Sequence, residues 1–255
     1  MKVQIASDLH MEYKNEKDVD PFDYITPSAE ILILSGDIGS CYRYSQLRNF
    51  FKKLCPEFKM VLYVIGNHEY YYVPNTTRRI PMEFMNHMIH NLSILIPNLI
   101  ILDRSSVIMG NICISGCTLW SNPDVAMPSF YTRLHGMDLE KYREKFEADL
   151  VFINDTMGYC KEKGHDLVMV THYCPHKYIK LTEEHGYEEN NELESFYMTD
   201  LSHLMDKNLV KLWIYGHTHI NCDMVSPMGT RIVSNQKGKL KNNVYNFSEQ
   251  FIVEF

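Results

Sequence analysis

The sequence predicts an α/β fold of two packed sheets with helices outside, carrying its chemistry at the carboxyl ends of the strands. Two observations point there. Five apolar, β-rich segments, Val3 to Ala6, Ile31 to Leu34, Met60 to Ile65, Leu167 to Val170 and Leu212 to Tyr215, each run straight into a short polar cluster. Apolar residues at helical spacing lie between several of them, and the chain returns to clustered short strands near its end.

Taken in order, the first strand leads to Asp8-Leu9-His10 and the second to Gly36-Asp37. Residues Tyr44 to Leu54 read as a helix, with Leu47, Phe50, Phe51 and Leu54 on one face. The strand from Met60 ends in Gly66-Asn67-His68-Glu69. Pro81 suits a first helical turn, and Phe84, Met85, Met88, Ile89 and Leu92 follow as an apolar stripe. The stripe Met82, Met85, Met88 reads as helix burial and not as a binding surface. Strands are expected at Leu99 to Leu102, Val107 to Met109 and Ile112 to Ser115. A long helix covers Leu139 to Lys163, with Tyr142, Phe146, Leu150, Ile153 and Met157 inward. The next two strands end in Thr171-His172 and Gly216-His217-Thr218-His219, with another helix expected over Asp200 to Lys207. The last strands are Cys222 to Val225, Arg231 to Ser234 and Phe251 to Phe255.

An α/β sheet places its chemistry on loops beyond the carboxyl ends of its strands. Five such ends bearing Asp, Asn or His therefore read as one assembled site. Side chains two apart on an extended segment point the same way, so Asp8 and His10 can face one ion, and His217 and His219 repeat the spacing. Asp37 offers two oxygens and can bridge two cations, while Asn67 adds a neutral carbonyl oxygen. Imidazole and oxygen donors without thiolate suit Mn, Fe, Zn, Co or Ni better than Ca or a structural zinc. Glycines before Asp37, Asn67 and His217 fit sharp turns. A lone histidine at a strand end is more often a satisfied partner than a ligand. His87, His90, His135, His165, His176, His185 and His203 take that plain reading.

At 255 residues, with no Pro-rich or Gly/Ser linker and no repeat, residues 1–255 read as a single domain. The net charge of −7 gives no basic surface for long nucleic acid, without excluding a short nucleotide. Seven scattered cysteines without zinc-site spacing favour reduced thiols. With no secretory leader and no apolar run of membrane-spanning length, the expected location is cytoplasmic, with no membrane partner.

Asp-x-His, Gly-Asp, Gly-Asn-His-Glu, His and Gly-His-Thr-His, in that order, resemble the calcineurin-like metallophosphoesterases, specifically their small bacterial-type members. The resemblance runs from Val3 to the C-terminal strands. It implies a four-layer α/β/β/α sandwich of two mixed sheets and a site for two divalent transition-metal ions. Asp8, His10, Asp37 and His219 would hold the first, and Asp37, Asn67, His172 and His217 the second. His68 matches the catalytic histidine. The implied reaction is in-line attack on phosphorus by a hydroxide shared by the ions, with His68 assisting the leaving oxygen.

Two departures narrow the branch. Ile38-Gly39-Ser40 follows Asp37 where serine/threonine protein phosphatases continue Val-Asp-Arg-Gly, so that branch's Asp partner and phosphate-binding Arg are missing. Tyr173 also follows His172 where many small relatives carry a second histidine. What remains resembles the general phosphoesterases, commonly phosphodiesterases of small or nucleotide-like esters. A phosphomonoesterase at the same site is the alternative. A non-catalytic scaffold of the same fold is a third reading, opposed by the complete ligand set and His68.

Substrate contacts are less legible. Tyr70, in the run Tyr70-Tyr71-Tyr72, and Trp120 are candidate pocket walls, with packing of the rings as the competing reading. The stretches 120–137 and 174–194 are candidate lids, the second rich in Glu. Lys237, Lys239 and Lys241 read as a solvated hairpin, with contact to a second phosphate as the minority account.

Overall fold

Alternation decides the layers. The structure, a computed structural model, describes residues 1–73, 76–126, 133–181, 193–239, 244 and 246–255. Strands β1 (Lys2–Ala6), β2 (Ile31–Ser35), β3 (Met60–Val64), β4 (Leu99–Leu102) and β11 (Ile252–Glu254) form one sheet in the order β11-β1-β2-β3-β4. Strands β5 (Ser105–Met109), β6 (Ile112–Cys117), β7 (Asp166–Thr171), β8 (Val210–Ile214), β9 (Asp223–Val225) and β10 (Arg231–Val233) form the second, ordered β5-β6-β7-β8-β10-β9. Both sheets are parallel at the centre, with antiparallel β11 at one edge of the first and antiparallel β5 and β9 at the edges of the second.

Period-two alternation sends Val3, Ile5, Ile33, Leu62 and Val64 of the first sheet into one apolar layer with Ile114, Val168, Val170, Leu212 and Ile214 of the second. The opposite faces, such as Leu32, Leu34, Val61 and Tyr63, belong to the layer that also holds the helices. Helix α1 (Tyr44–Leu54) buries Leu47, Phe50, Phe51 and Leu54, each contributing roughly 1.5–3 kcal/mol on burial. Its Phe51 ring lies 4.9 Å from Tyr63 on β3. Helix α2 (Met82–Leu95) covers the same face, and α3 (Leu139–Lys163) covers β6 and β7. Asp138 caps α3 by accepting the Lys141 N–H at 2.9 Å, and Gly164 ends it in the left-handed region. The result is the four-layer α/β/β/α sandwich.

Three expectations need correction. Pro81 sits one residue before α2 with extended ψ, and Phe84 is 53 % exposed. Met82, Met85, Ile89 and Leu92 share the buried stripe, whereas Phe84, at about 100° per residue, falls on the far side. The helix expected over Asp200 to Lys207 is a single 3-10 turn, Ser202–Leu204. Its flanking backbone groups are committed elsewhere: Leu201 N–H donates to Pro175 O, and Met205 O accepts from the Thr230 hydroxyl. Of the lid candidates, residues 127–132 and 182–192 lie outside the described residues, as does Lys241.

Candidate metal centre and catalytic site

The two sheets meet at their carboxyl ends. Asp8 N–H donates to Gly36 O and His10 N–H to Asp37 O, which ties the first turn to the second, and Gly216 N–H donates to His172 O, which ties the fourth to the fifth. Asp8, His10, Asp37, His217 and His219 all have positive φ, between 49° and 70°. Each conformation of this kind costs on the order of 1–3 kcal/mol for a non-glycine residue and persists only where the surroundings enforce it. The extended-strand argument for Asp8 and His10 therefore fails in detail, because these residues lie past the strand.

Glycines make the close approach possible. Gly36 has φ of +88°, and any side chain there would strike the His172 ring. A Cβ on Gly66 would collide with the side chain and backbone of Asp37.

All seven predicted ligands are brought together, in two groups. Asp8, His10 and His219 form the first: His219 Nε2 lies 3.3 Å from Asp8 Oδ1 and 2.9 Å from His10 Nε2. Asp37, His172 and His217 form the second, with His172 Nε2 3.2 Å from Asp37 Oδ1 and 2.8 Å from Asn67 Oδ1. Asp37 Oδ2 reaches back to within 3.8 Å of His10 Nε2, so the carboxylate lies between the groups. His217 and His219, two residues apart, thus serve different groups.

The hydrogen bonds behind these atoms fix which lone pairs face inward. His172 Nδ1 faces Ser35 O at 2.8 Å, so that nitrogen carries the proton and Nε2 is left as a donor to a cation. His217 Nε2 faces Phe196 O at 3.3 Å, which leaves Nδ1. Nitrogen and oxygen donors, buried, neutral or anionic, and turned toward common points, fit a pair of divalent cations.

His68 sits beside the first group, its backbone N–H donating to Asp37 Oδ1 at 2.8 Å and its ring 4.5 Å from that of His10. Sequence reading missed its partner. Glu12 Oε1 is 2.8 Å from His68 Nδ1 and 3.1 Å from His10 Nδ1, so one buried carboxylate oxygen accepts from both rings and turns both Nε2 atoms to the site. Burial opposes ionisation of Glu12, yet the two imidazoles hold it down at about 2. Burial and the nearby Lys239 charge lower His68 to about 4, while Asp37 and the Glu12 bond pull it upward. No local signal in the sequence marks this role, because it depends on rings from two different turns meeting at one oxygen.

Glu69 and Gln236 were likewise unassigned. Glu69 accepts N–H bonds from Gly66, Asp37 and Ile38 and the Tyr63 hydroxyl, which ties the second and third turns together. Gln236 accepts the His219 N–H. Tyr173 packs its ring 3.9 Å from His217, so the position where relatives carry a second histidine here supports a candidate ligand by stacking. Tyr70 and Trp120, 4 % and 3 % exposed, pack in the core, and the Tyr70 hydroxyl is bound to Asn86. The ring against His68 is Tyr71, at 4.5 Å.

A two-sheet sandwich whose strand ends assemble buried His, Asp and Asn in two groups defines the dimetal hydrolase class. The family model for calcineurin-like phosphoesterases matches residues 1–221, and the chain belongs to that family. Its cofactor is accordingly a pair of divalent metal ions. An uncharacterised protein, L509, of Acanthamoeba polyphaga mimivirus is 27 % identical over 259 residues, covering 92 % of this chain and 90 % of that protein. Among solved structures, the phosphopantetheinyl hydrolase of Mycobacterium tuberculosis superposes with a TM-score of 0.68 at 16 % identity, over 93 % of this chain and 89 % of that one. A dimetal phosphatase from Danio rerio does so with a TM-score of 0.55 at 11 % identity, over 91 % and 86 %. At such identities the two structures share the fold.

Proposed function

We propose that the chain hydrolyses small or nucleotide-like phosphodiesters, with Asp8, His10, Asp37 and His219 holding one metal ion and Asp37, Asn67, His172 and His217 the other. The observation that carries this reading is the placement of Asp37 between two buried donor groups with His68 alongside. When bound, the two ions neutralise charge on the phosphate and acidify the attacking water. The chain does the rest. Ser35 and Phe196 carbonyls hold the His172 and His217 tautomers. Glu12 turns His68 Nε2 toward the site, and its charge works against the burial and the Lys239 charge that lower the His68 pKa, favouring the imidazolium from which a proton would pass to the leaving oxygen. The segment Ile38-Gly39-Ser40 brings no Arg to the phosphate, which favours a monoanionic diester over a dianionic monoester.

A second reading, a phosphomonoesterase, has one observation in its favour. Lys239 is half-buried and close enough to Asp37, Glu12 and Asp8 to feel their charge, which supplies a cation beside the site and favours the minority account of the lysine run. Assay of bis-aryl against mono-aryl phosphates with Mn, Fe, Co, Ni and Zn separates the readings. Faster diester cleavage is expected, and a monoester preference with every metal refutes it.

The same reading makes residues 1–255 one catalytic unit, supported by candidate ligands drawn from both sheets. It places the protein in the cytoplasm, supported by seven unpaired cysteines. No described helix is long and apolar enough to cross a membrane.

A further inference from the structure

Three lysines line one small cavity beside the candidate metal centre. It measures about 30 Å³, shares His10 with that centre and is lined besides by Tyr13, Lys14, Tyr24, Lys237 and Lys239. All three lysines are half-buried. Lys14 Nζ rests 4.7 Å from the centre of the Tyr24 ring, Lys237 Nζ 5.3 Å from the same ring and 5.0 Å from Phe247, and Lys239 Nζ 6.0 Å from Tyr13. Among the described residues none of the three has a carboxylate within ion-pair distance, whereas Lys53, Lys59 and Lys211 each do. In a chain of net charge −7 this is not for want of carboxylates. Cation–π contact at about 0.5–1 kcal/mol is a weak substitute for a partner anion.

Tyr24 adds an independent observation. The residue is 1 % exposed, and its hydroxyl is buried without a hydrogen-bond partner among the described residues. A buried polar group left unmatched costs roughly 1–3 kcal/mol and calls for an explanation such as an ion or ligand. An anion in this cavity would accept hydrogen bonds from the lysine ammonium groups that line it together with Tyr24. The cavity's volume is that of about one water molecule, so occupancy by a tetrahedral anion requires the lysine side chains to move aside.

The pocket is built onto the metal centre. Lys237 N–H donates to Ser7 O and Gly238 N–H to Asp8 O, both at 3.0 Å. Gly238 has φ of +71°, and a side chain there would press on Val244 and His219. The lysine segment is thereby held against the turn that carries Asp8 and His10.

We propose that Lys14, Lys237, Lys239 and Tyr24 form a subsite for a second, non-scissile phosphate, so that the favoured substrate is a phosphodiester bearing another phosphate group. The assignment rests on the phosphodiesterase reading for the site next door, but the pocket can be tested without it. Inorganic phosphate titrated calorimetrically into the full chain, with metals chelated, reads the lysine pocket alone. Binding is expected, and Lys14→Met combined with Lys237→Met weakens it by about 10-fold or more, about the loss of one charge-assisted contact. Lys14→Arg with Lys237→Arg retains it. The metal-loaded enzyme is then given the 5′-nitrophenyl phosphodiester of thymidine with and without a 3′-phosphate. The wild-type kcat/KM ratio favours the 3′-phosphorylated ester, and the Met variant reduces that ratio by about 10-fold. No phosphate binding, binding indifferent to the Met substitutions, or a ratio they leave unchanged overturns the subsite. Hydrolysis of neither ester refutes the phosphodiesterase reading instead, while the titration still decides whether the pocket takes phosphate.

Discussion

Replacing Glu12 with Gln tests how His68 is made useful. In the wild type, one buried carboxylate oxygen accepts from His68 Nδ1 at 2.8 Å and from His10 Nδ1 at 3.1 Å. The amide keeps the shape but loses the charge, and it can offer its single carbonyl oxygen only as a neutral acceptor. A hydrogen bond to a charged group contributes about 1.5–3 kcal/mol. If that amount is lost from the imidazolium as it gives its proton to the leaving oxygen, the rate falls by about 10- to 150-fold. The loss belongs to alkyl leaving groups. Nitrophenolate departs without a proton, so its ester should slow by about 3-fold or less, an order-of-magnitude expectation.

The assay is kcat at saturating substrate across a series of diesters of rising leaving-group pKa, for wild type, Glu12→Gln and Glu12→Asp. Because Glu12 also supports His10, metal affinity should weaken by about 10- to 100-fold, the usual consequence of removing a ligand's outer hydrogen bond. All rates are therefore taken at saturating metal, with occupancy measured by elemental analysis. The expected signature is a steeper dependence on leaving-group pKa in the Gln variant. Asp, one methylene shorter, recovers the slope in part. An equal loss for every ester, at full metal occupancy, would refute the orienting role and leave Glu12 as a structural support of His10.

Other outcomes follow from the same geometry. His68→Ala should lower turnover of alkyl diesters by about 100-fold or more with metal content unchanged, and loss of a metal would recast His68 as a ligand. Asp37→Asn should reduce occupancy of both ions and abolish turnover, which elemental analysis after desalting would show, whereas loss of one ion alone would remove Asp37 as the bridge. His176 offers a test of stability against pH. Burial lowers its folded pKa to about 4 from 6.5, so the unfolded chain binds the extra proton between those values and stability falls as pH drops through that window. Urea unfolding should show a loss of about 2 kcal/mol from this residue between pH 7 and pH 5. His176→Gln, which can still accept the Tyr178 N–H, should lack that loss, and identical pH profiles for the two proteins would refute the assignment.

The ordered motifs made the seven candidate ligands and His68 legible, because each motif ends a strand whose apolar run is itself readable. Glu12 was not legible as a partner, since its role depends on two rings from different turns meeting at one oxygen. The lysines were misjudged for a related reason. Lys237 and Lys239 look solvated in a linear reading, and only the hydrogen bonds of residues 237 and 238 to Ser7 and Asp8 press them against the site. Phe84 and Asp200–Lys207 failed locally: one lay off the helical stripe, and the other had its backbone groups claimed by distant segments.

The spacing of two in Asp8-Leu9-His10 and in His217-Thr218-His219 has a different physical meaning from the one a strand would give it. Positive φ at both ends of each triplet folds the chain into a tight turn beyond the strand. In the first triplet this turn leaves both side chains in one group, with His10 Nε2 3.9 Å from Asp8 Oδ1. In the second it parts them, sending His217 to Asp37 and His172, and His219 to Asp8 and His10. The strain is held by specific bonds: Asp8 accepts the His217 N–H, and Gln236 accepts the His219 N–H. Because Asp8 is both a candidate ligand and the acceptor that fixes the His217 turn, the two donor groups are mechanically joined.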